Sequence, residues 1–151
     1  MIGSRTRSRE IALQVLYSCD GTPAPVPGHW EETLADVECS TEIRTFAREL
    51  IEGVLADRAR IDALIAGAAD NWEISRLATV DRNILRVSVH ELLSRPDIPA
   101  KVSINEAIEL GKRFSTAQSG AFINGILDRI RRDLGLPVDE GPREPARGET
   151  G

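Results

Sequence analysis

Apolar positions recur along this chain at intervals of three and four, the period of a helix with one buried face. Ile11, Ala12, Val15 and Leu16 form such a face on a helix predicted from about Ser4 or Thr6 to Cys19. Residues 21–28 hold three prolines and two glycines, which end that helix and predict a loop. A short helix is expected around Trp30 to Val37. From Thr41 the set Ile43, Phe46, Ala47, Leu50, Ile51, Val54 and Leu55 marks an amphipathic helix. Ile61, Leu64, Ile65, Ala68 and Ala69 mark the next, after a break between Asp57 and Arg60.

The stretch around Ile84, Leu85, Val87, Val89, Leu92 and Leu93 is apolar on more than one side, which predicts a central buried helix started by Thr79 or Asp81 as cap. Pro96 and Pro99 end it. Ser103-Ile104-Asn105-Glu106 has the form of a capping box and predicts a helix start at Ser103. That helix carries Ala107, Ile108, Leu110, Gly111 and Phe114. After a polar turn at 115–120, Phe122, Ile123, Ile126, Leu127 and Ile130 define a last helix to about Leu134. No stretch reads convincingly as a strand. The expectation is one all-α domain over residues 1–136 and a disordered tail over 137–151, which is rich in Pro, Gly and charge.

Composition narrows the class. With 151 residues, 41% hydrophobic and only 4% aromatic, the chain can bury one core made of Leu, Ile, Val and Ala. No apolar run approaches the roughly 20 residues of a membrane span. Glu10 and Gln14 interrupt the first apolar stretch, so it reads as helix rather than signal peptide, and a cytoplasmic location follows. Cys19 and Cys39 lack CxxC spacing, which leaves no disulfide framework and no cysteine-rich zinc site. His29 and His90 stand far apart without a ligand cluster. Neither a P-loop, a GxGxxG after a strand nor an HExxH motif is present. These readings imply no cofactor, no metal and no enzymatic activity.

Net charge is −5, yet positive charge gathers in two segments, residues 1–19 and 101–132. Together they could form a patch for an anionic partner, or remain two solvated helix faces. Arg5, Arg7 and Arg9 alternate with Thr6 and Ser8. Guanidinium forks suit phosphates and hydroxyls can supplement them, so a flexible arm bearing this run could fold onto RNA. Tyr17 is able to stack a base or to finish the core. The helical spacing of Phe122 favours core packing over stacking.

Four ordered segments carry a resemblance. S-R-E-I-A-L-Q-V-L-Y at 8–17, D-R-N-I-L-R-V-S-V-H-E-L-L at 81–93, I-P-A-K-V-S-I-N-E-A-I-E-L-G-K at 98–112 and F-I-N-G-I-L-D at 122–128 resemble the NusB family of bacterial transcription antitermination factors. The resemblance covers about residues 5–134. It implies a bundle of about seven helices in two helical subdomains. It further implies a protein that binds the boxA element of ribosomal-RNA leader transcripts with NusE, a small-subunit ribosomal protein, and joins NusA, NusG and RNA polymerase in one complex. Carried onto this chain, RNA contacts would fall on Arg5, Arg7, Arg9, Tyr17, Lys101, Phe122 and the 115–120 turn with Gln118. The surface near Asp81 would face NusE. Thr6 and Ser8 make the arginine run thinner than in members with consecutive arginines, and the turn lacks the acidic residues some members carry. Family members occur as monomers and as homodimers. Two rival readings stay open: the RNA-binding domain of a ribosomal-RNA cytosine methyltransferase, and a helical protein–protein scaffold or homodimer without RNA binding.

Overall fold

Seven α-helices and one 3-10 turn, with no strand, make up the described residues 3–20, 29–70 and 74–137 of the computed structural model. The helices are α1 (Ser4–Asp20), α2 (His29–Ala35), α3 (Thr41–Ala56), α4 (Arg58–Ala68), α5 (Thr79–Ser94), α6 (Ala100–Phe114) and α7 (Ser119–Asp133). The expected loop at 21–28, Trp72, and the expected tail apart from Pro137 lie outside the described residues.

Local chemistry places most of the boundaries. Ser40 is extended and its hydroxyl accepts the Ile43 amide at 3.2 Å, which starts α3. Asp57 ends α3 and begins α4, so the expected break falls on one residue. Gly135 at φ 73° ends α7 and turns the chain so that the buried Leu136 folds back, its amide reaching the Arg131 carbonyl at 3.0 Å.

Two helix starts differ from expectation. α6 begins at Ala100 rather than Ser103, because Pro99 at φ −58° and ψ 141° already sets the cap and its carbonyl accepts the Val102 and Ser103 amides. Ser103 and Glu106 therefore sit inside the helix and their side chains reach other helices. α5 is capped by Ala78 without a side-chain bond; Asp81 accepts from Ser119 instead.

The apolar side chains pack into two clusters. One gathers Ile11, Val15, Leu34, Leu50 and Ile51 from α1, α2 and α3. The other gathers Ile61, Ile65, Leu92, Leu110, Ile123 and Leu127 from α4 through α7. Helix α5 serves both, since Val87 packs in the first and Leu85 and Leu92 in the second. That explains its sequence: every residue from Asn83 to Leu93 is buried.

Arg82, Asn83 and Arg86 on α5 are tied to partners, as a low-dielectric interior favours. Arg86 forks onto Asp62 at 2.8 and 3.0 Å and reaches Asp20 at 3.2 Å. Arg82 and Asn83 bind the same Asp20 oxygen at 2.8 and 3.0 Å. Burial pushes the Asp20 carboxyl up, but Arg82, Arg86 and Asn83 outweigh it and hold the group below its ordinary range. The end of α1 is thereby fastened to α4 and α5.

Candidate nucleic-acid interface

Helix α1 begins at Ser4, so Arg5, Arg7 and Arg9 are helical rather than part of a flexible arm. Residues 5 and 9 are one turn apart on the same face, and residue 7 falls on the opposite side. The three arginines therefore do not converge.

Arg9 faces inward. Its Nε and Nη2 donate to the two Glu91 oxygens at 2.8 Å each, and its Nη1 lies 3.6 Å from Glu106. The side chain is 3% exposed. Burial pushes its pKa down, but the bonds and charge of Glu91, with Glu106, more than restore it and hold it above the usual guanidinium value. The expectation of Arg9 as an RNA contact is corrected: a guanidinium buried between two carboxylates is not offered to a phosphate.

Arg5 and Arg7 are at the surface. Arg5 lies over the Phe46 ring at 4.7 Å and near Asp97 at 3.9 Å. Arg7 lies 3.6 Å from Glu10.

Helices α1 and α6 each pack against α5, and side chains link one to the other. Thr6 donates to Glu106 at 2.8 Å near one end, and Glu10 binds Arg113 further along. Two depressions occupy the groove between them. The first, about 440 Å³, is lined by Gly3, Thr6, Val102, Asn105, Glu106, Glu109 and Arg113. The second, about 300 Å³ and mostly apolar, is lined by Glu10, Leu13, Gln14, Tyr17, Val80 and Phe114. The Glu10–Arg113 pair stands between the two.

Tyr17 is 52% exposed and Phe114 45% exposed, so both rings are open to a stacking partner. The guanidinium of Arg113 lies 5.0 Å from the centre of the Phe114 ring. Sequence reasoning missed Arg113 and Phe114. Phe114 keeps helical register with Ala107, Leu110 and Gly111, which predicts burial; α6 ends on it, and no following turn covers the ring.

Phe122, 38% exposed, lies in a separate depression of about 390 Å³ with Ala68, Ala69, Asp70, Ala121, Gly125 and Ile126, between the end of α4 and α7. Arg129 borders it, reaching Asp70 at 3.1 Å. Gln118 is exposed just before α7, its carbonyl accepting the Phe122 amide at 3.3 Å. Lys101 is exposed on the first turn of α6, roughly 18 Å along the helix from Arg113 at the standard rise. The candidate residues thus do not form one continuous site: Tyr17, Phe122 and Arg5 line three different depressions.

Asp81 does not present a surface carboxylate. It is 8% exposed, its Oδ2 accepts from Ser119 at 3.1 Å, and its Oδ1 is covered with no hydrogen-bond partner. Ser119 is linked in turn to Ser115 at 2.9 Å and Thr116 at 3.0 Å, so Asp81 holds the 115–120 turn against α5. The expected NusE-facing surface near Asp81 is therefore not supplied by Asp81 itself, which is buried.

Among the described residues, no group of three or more His, Cys, Asp and Glu side chains is arranged to hold a metal, and no helix is long and apolar enough to cross a membrane.

The model of the NusB family matches residues 6–132. The transcription antitermination protein NusB of Desulforapulum autotrophicum is 44% identical over 146 residues, covering 95% of this chain and all of that protein. The Thermotoga maritima NusB crystal structure, with 36% identity, superposes with a TM-score of 0.76 over 88% of this chain and 94% of the other. A crystal structure of antitermination factors NusB and NusE in complex with double-stranded RNA contains a chain of similar fold, with 26% identity, a TM-score of 0.75, and coverage of 88% and 99%.

Proposed function

The chain belongs to the NusB family, and on that footing we propose that it is a transcription antitermination adaptor, not an enzyme, that binds the boxA element of ribosomal-RNA leader transcripts together with NusE. NusA, NusG and RNA polymerase complete the complex. The observation that carries the RNA part is the surface strip: Tyr17 and Phe114 face solvent beside the guanidinium of Arg113, with Arg7 across Glu10. Exposed rings stack bases, and exposed guanidiniums meet phosphates. Arg5, Lys101, Gln118 and Phe122 are proposed as further RNA contacts beyond that strip, and the surface around the start of α5 is proposed to meet NusE. The related NusB that was solved with NusE and RNA supports that pairing.

The mechanism is assembly. Each of two contacts, one to RNA and one to protein, raises the effective concentration of the other once both are on one particle. The net charge of −5 disfavours non-specific RNA and leaves selection to the local cations.

The test is binding to a boxA RNA and to a scrambled RNA of equal length, with and without NusE, at two salt concentrations. Preference for boxA that grows with NusE and weakens with salt is expected. Absence of preference under every condition rejects the RNA reading and favours a protein–protein scaffold.

A further inference from the structure

The groove between α1 and α6 is crossed at its middle by one ion pair. Glu10 on α1 is 6% exposed at its side chain, and it carries two guanidiniums: Arg113 of α6, and Arg7 one turn back on α1 at 3.6 Å. The two cations are 37% and 38% exposed. A covered carboxylate thus holds two half-exposed guanidiniums outward.

Arg113 is fixed on a second side by the Phe114 ring at 5.0 Å. Only its Nη2 is engaged with Glu10, which leaves other donors of a five-donor group unused among the described residues. The other carboxylates along the groove have partners: Glu106 accepts from Thr6 and pairs with Arg9, and Glu109 lies 3.6 Å from Lys112. An anionic strand following the groove from the first depression into the Tyr17–Phe114 depression must pass over the Glu10–Arg113 bridge.

We infer that Arg113, together with Arg7, grips the phosphate backbone of a single RNA strand lying in the α1–α6 groove, and that Glu10 is the positioning residue that holds both. The inference rests on the RNA-binding reading above and adds to it the path of the strand. Two guanidiniums anchored to one buried carboxylate have lost part of their rotamer freedom before RNA arrives, so less is lost on binding. The aromatic depression next to the bridge then takes a base from the same strand.

The test uses the full chain with NusE and compares boxA and scrambled RNA across a salt series. Arg113→Ala removes a half-exposed side chain and leaves the covered Glu10 with Arg7 alone, so its folding is checked by circular dichroism. It should weaken boxA binding roughly tenfold, as loss of a charged hydrogen bond does. It should also reduce the slope of log affinity against log salt by about 0.7, the value for one phosphate contact on a single strand.

Glu10→Gln separates positioning from charge. It removes a negative charge beside the strand, so electrostatics alone predicts tighter binding to both RNAs. A positioning role predicts weaker boxA binding and less discrimination from scrambled RNA. Unchanged affinity and slope for Arg113→Ala, with a wild type that binds and responds to salt, overturns the assignment of Arg113 alone. Tighter or unchanged binding by Glu10→Gln overturns the positioning role. A wild type that shows no boxA preference overturns the RNA-binding reading and this inference with it.

Discussion

Arg9 and Glu91 share a two-pronged hydrogen bond, 2.8 Å on each prong, with both side chains at most 3% exposed. Ser103 donates to the same Glu91 at 2.8 Å, and Glu106 stands 3.6 Å from Arg9. One buried carboxylate therefore ties α1 to α5 and α6. Glu91→Ala should cost about 3–5 kcal/mol, because it leaves Arg9 buried beside Glu106 alone. Replacing Arg9 and Glu91 together by Met and Leu should cost far less. Chemical denaturation of the two variants checks this; equal losses would mean that the uncompensated Arg9 charge is not what makes Glu91→Ala costly.

Helix α3 approaches α5 closely at Gly53, where an added Cβ would lie 2.0 Å from Cε1 of His90. Gly53→Ala should destabilise the fold by about 1–3 kcal/mol through overpacking. His90→Ala in the same chain should recover part of the loss. A double-mutant cycle read by thermal unfolding measures the coupling; strictly additive effects would show that the contact does not limit the packing.

Burial holds His90 below the ordinary histidine value, with Arg95 adding to the effect and Glu91, Asp57 and Glu49 opposing it. The unfolded chain takes up this proton at about pH 6.5, while the folded chain does so only at lower pH. Stability contributed by the neutral ring is therefore complete above about pH 6.5 and is lost as pH falls through that value towards the folded pKa. Unfolding midpoints measured from pH 8 to 5 should decline, and His90→Gln should flatten the decline.

Tyr17 and Phe122 are exposed and add little to either core. Their alanine variants should keep stability within about 0.5 kcal/mol of the parent. Each should weaken boxA binding by about 1–3 kcal/mol if its ring stacks a base. Fluorescence titration alongside denaturation separates the two effects. A variant that loses stability but not affinity would assign its ring to packing.

Much of the fold was legible because helix periodicity reports burial directly. A break between Asp57 and Arg60 and the central position of α5 followed from apolar spacing alone. Capping patterns misled where a proline or a distant partner competed. Ser103 and Glu106 carry the capping spacing, but Pro99 starts the helix first and frees both side chains to reach Glu91, Thr6 and Arg9. The arginine run failed in a similar way. Alternation at 5, 7 and 9 looks like one basic arm, whereas a helix sends Arg7 to one side and Arg9 into the interior.

By itself the sequence determined the all-helical architecture, the order of its elements and the family, since these depend on local periodicity and on motifs contiguous in the chain. Only the tertiary structure decided which charges are surface and which are internal. Arg9 is buried because Glu91, 82 residues away, supplies its counter-charge. Arg113 reaches the candidate interface because Glu10, 103 residues away, holds it there. Whether an arginine meets a phosphate or a buried carboxylate is settled by what packs against it, and no spacing along the chain encodes that.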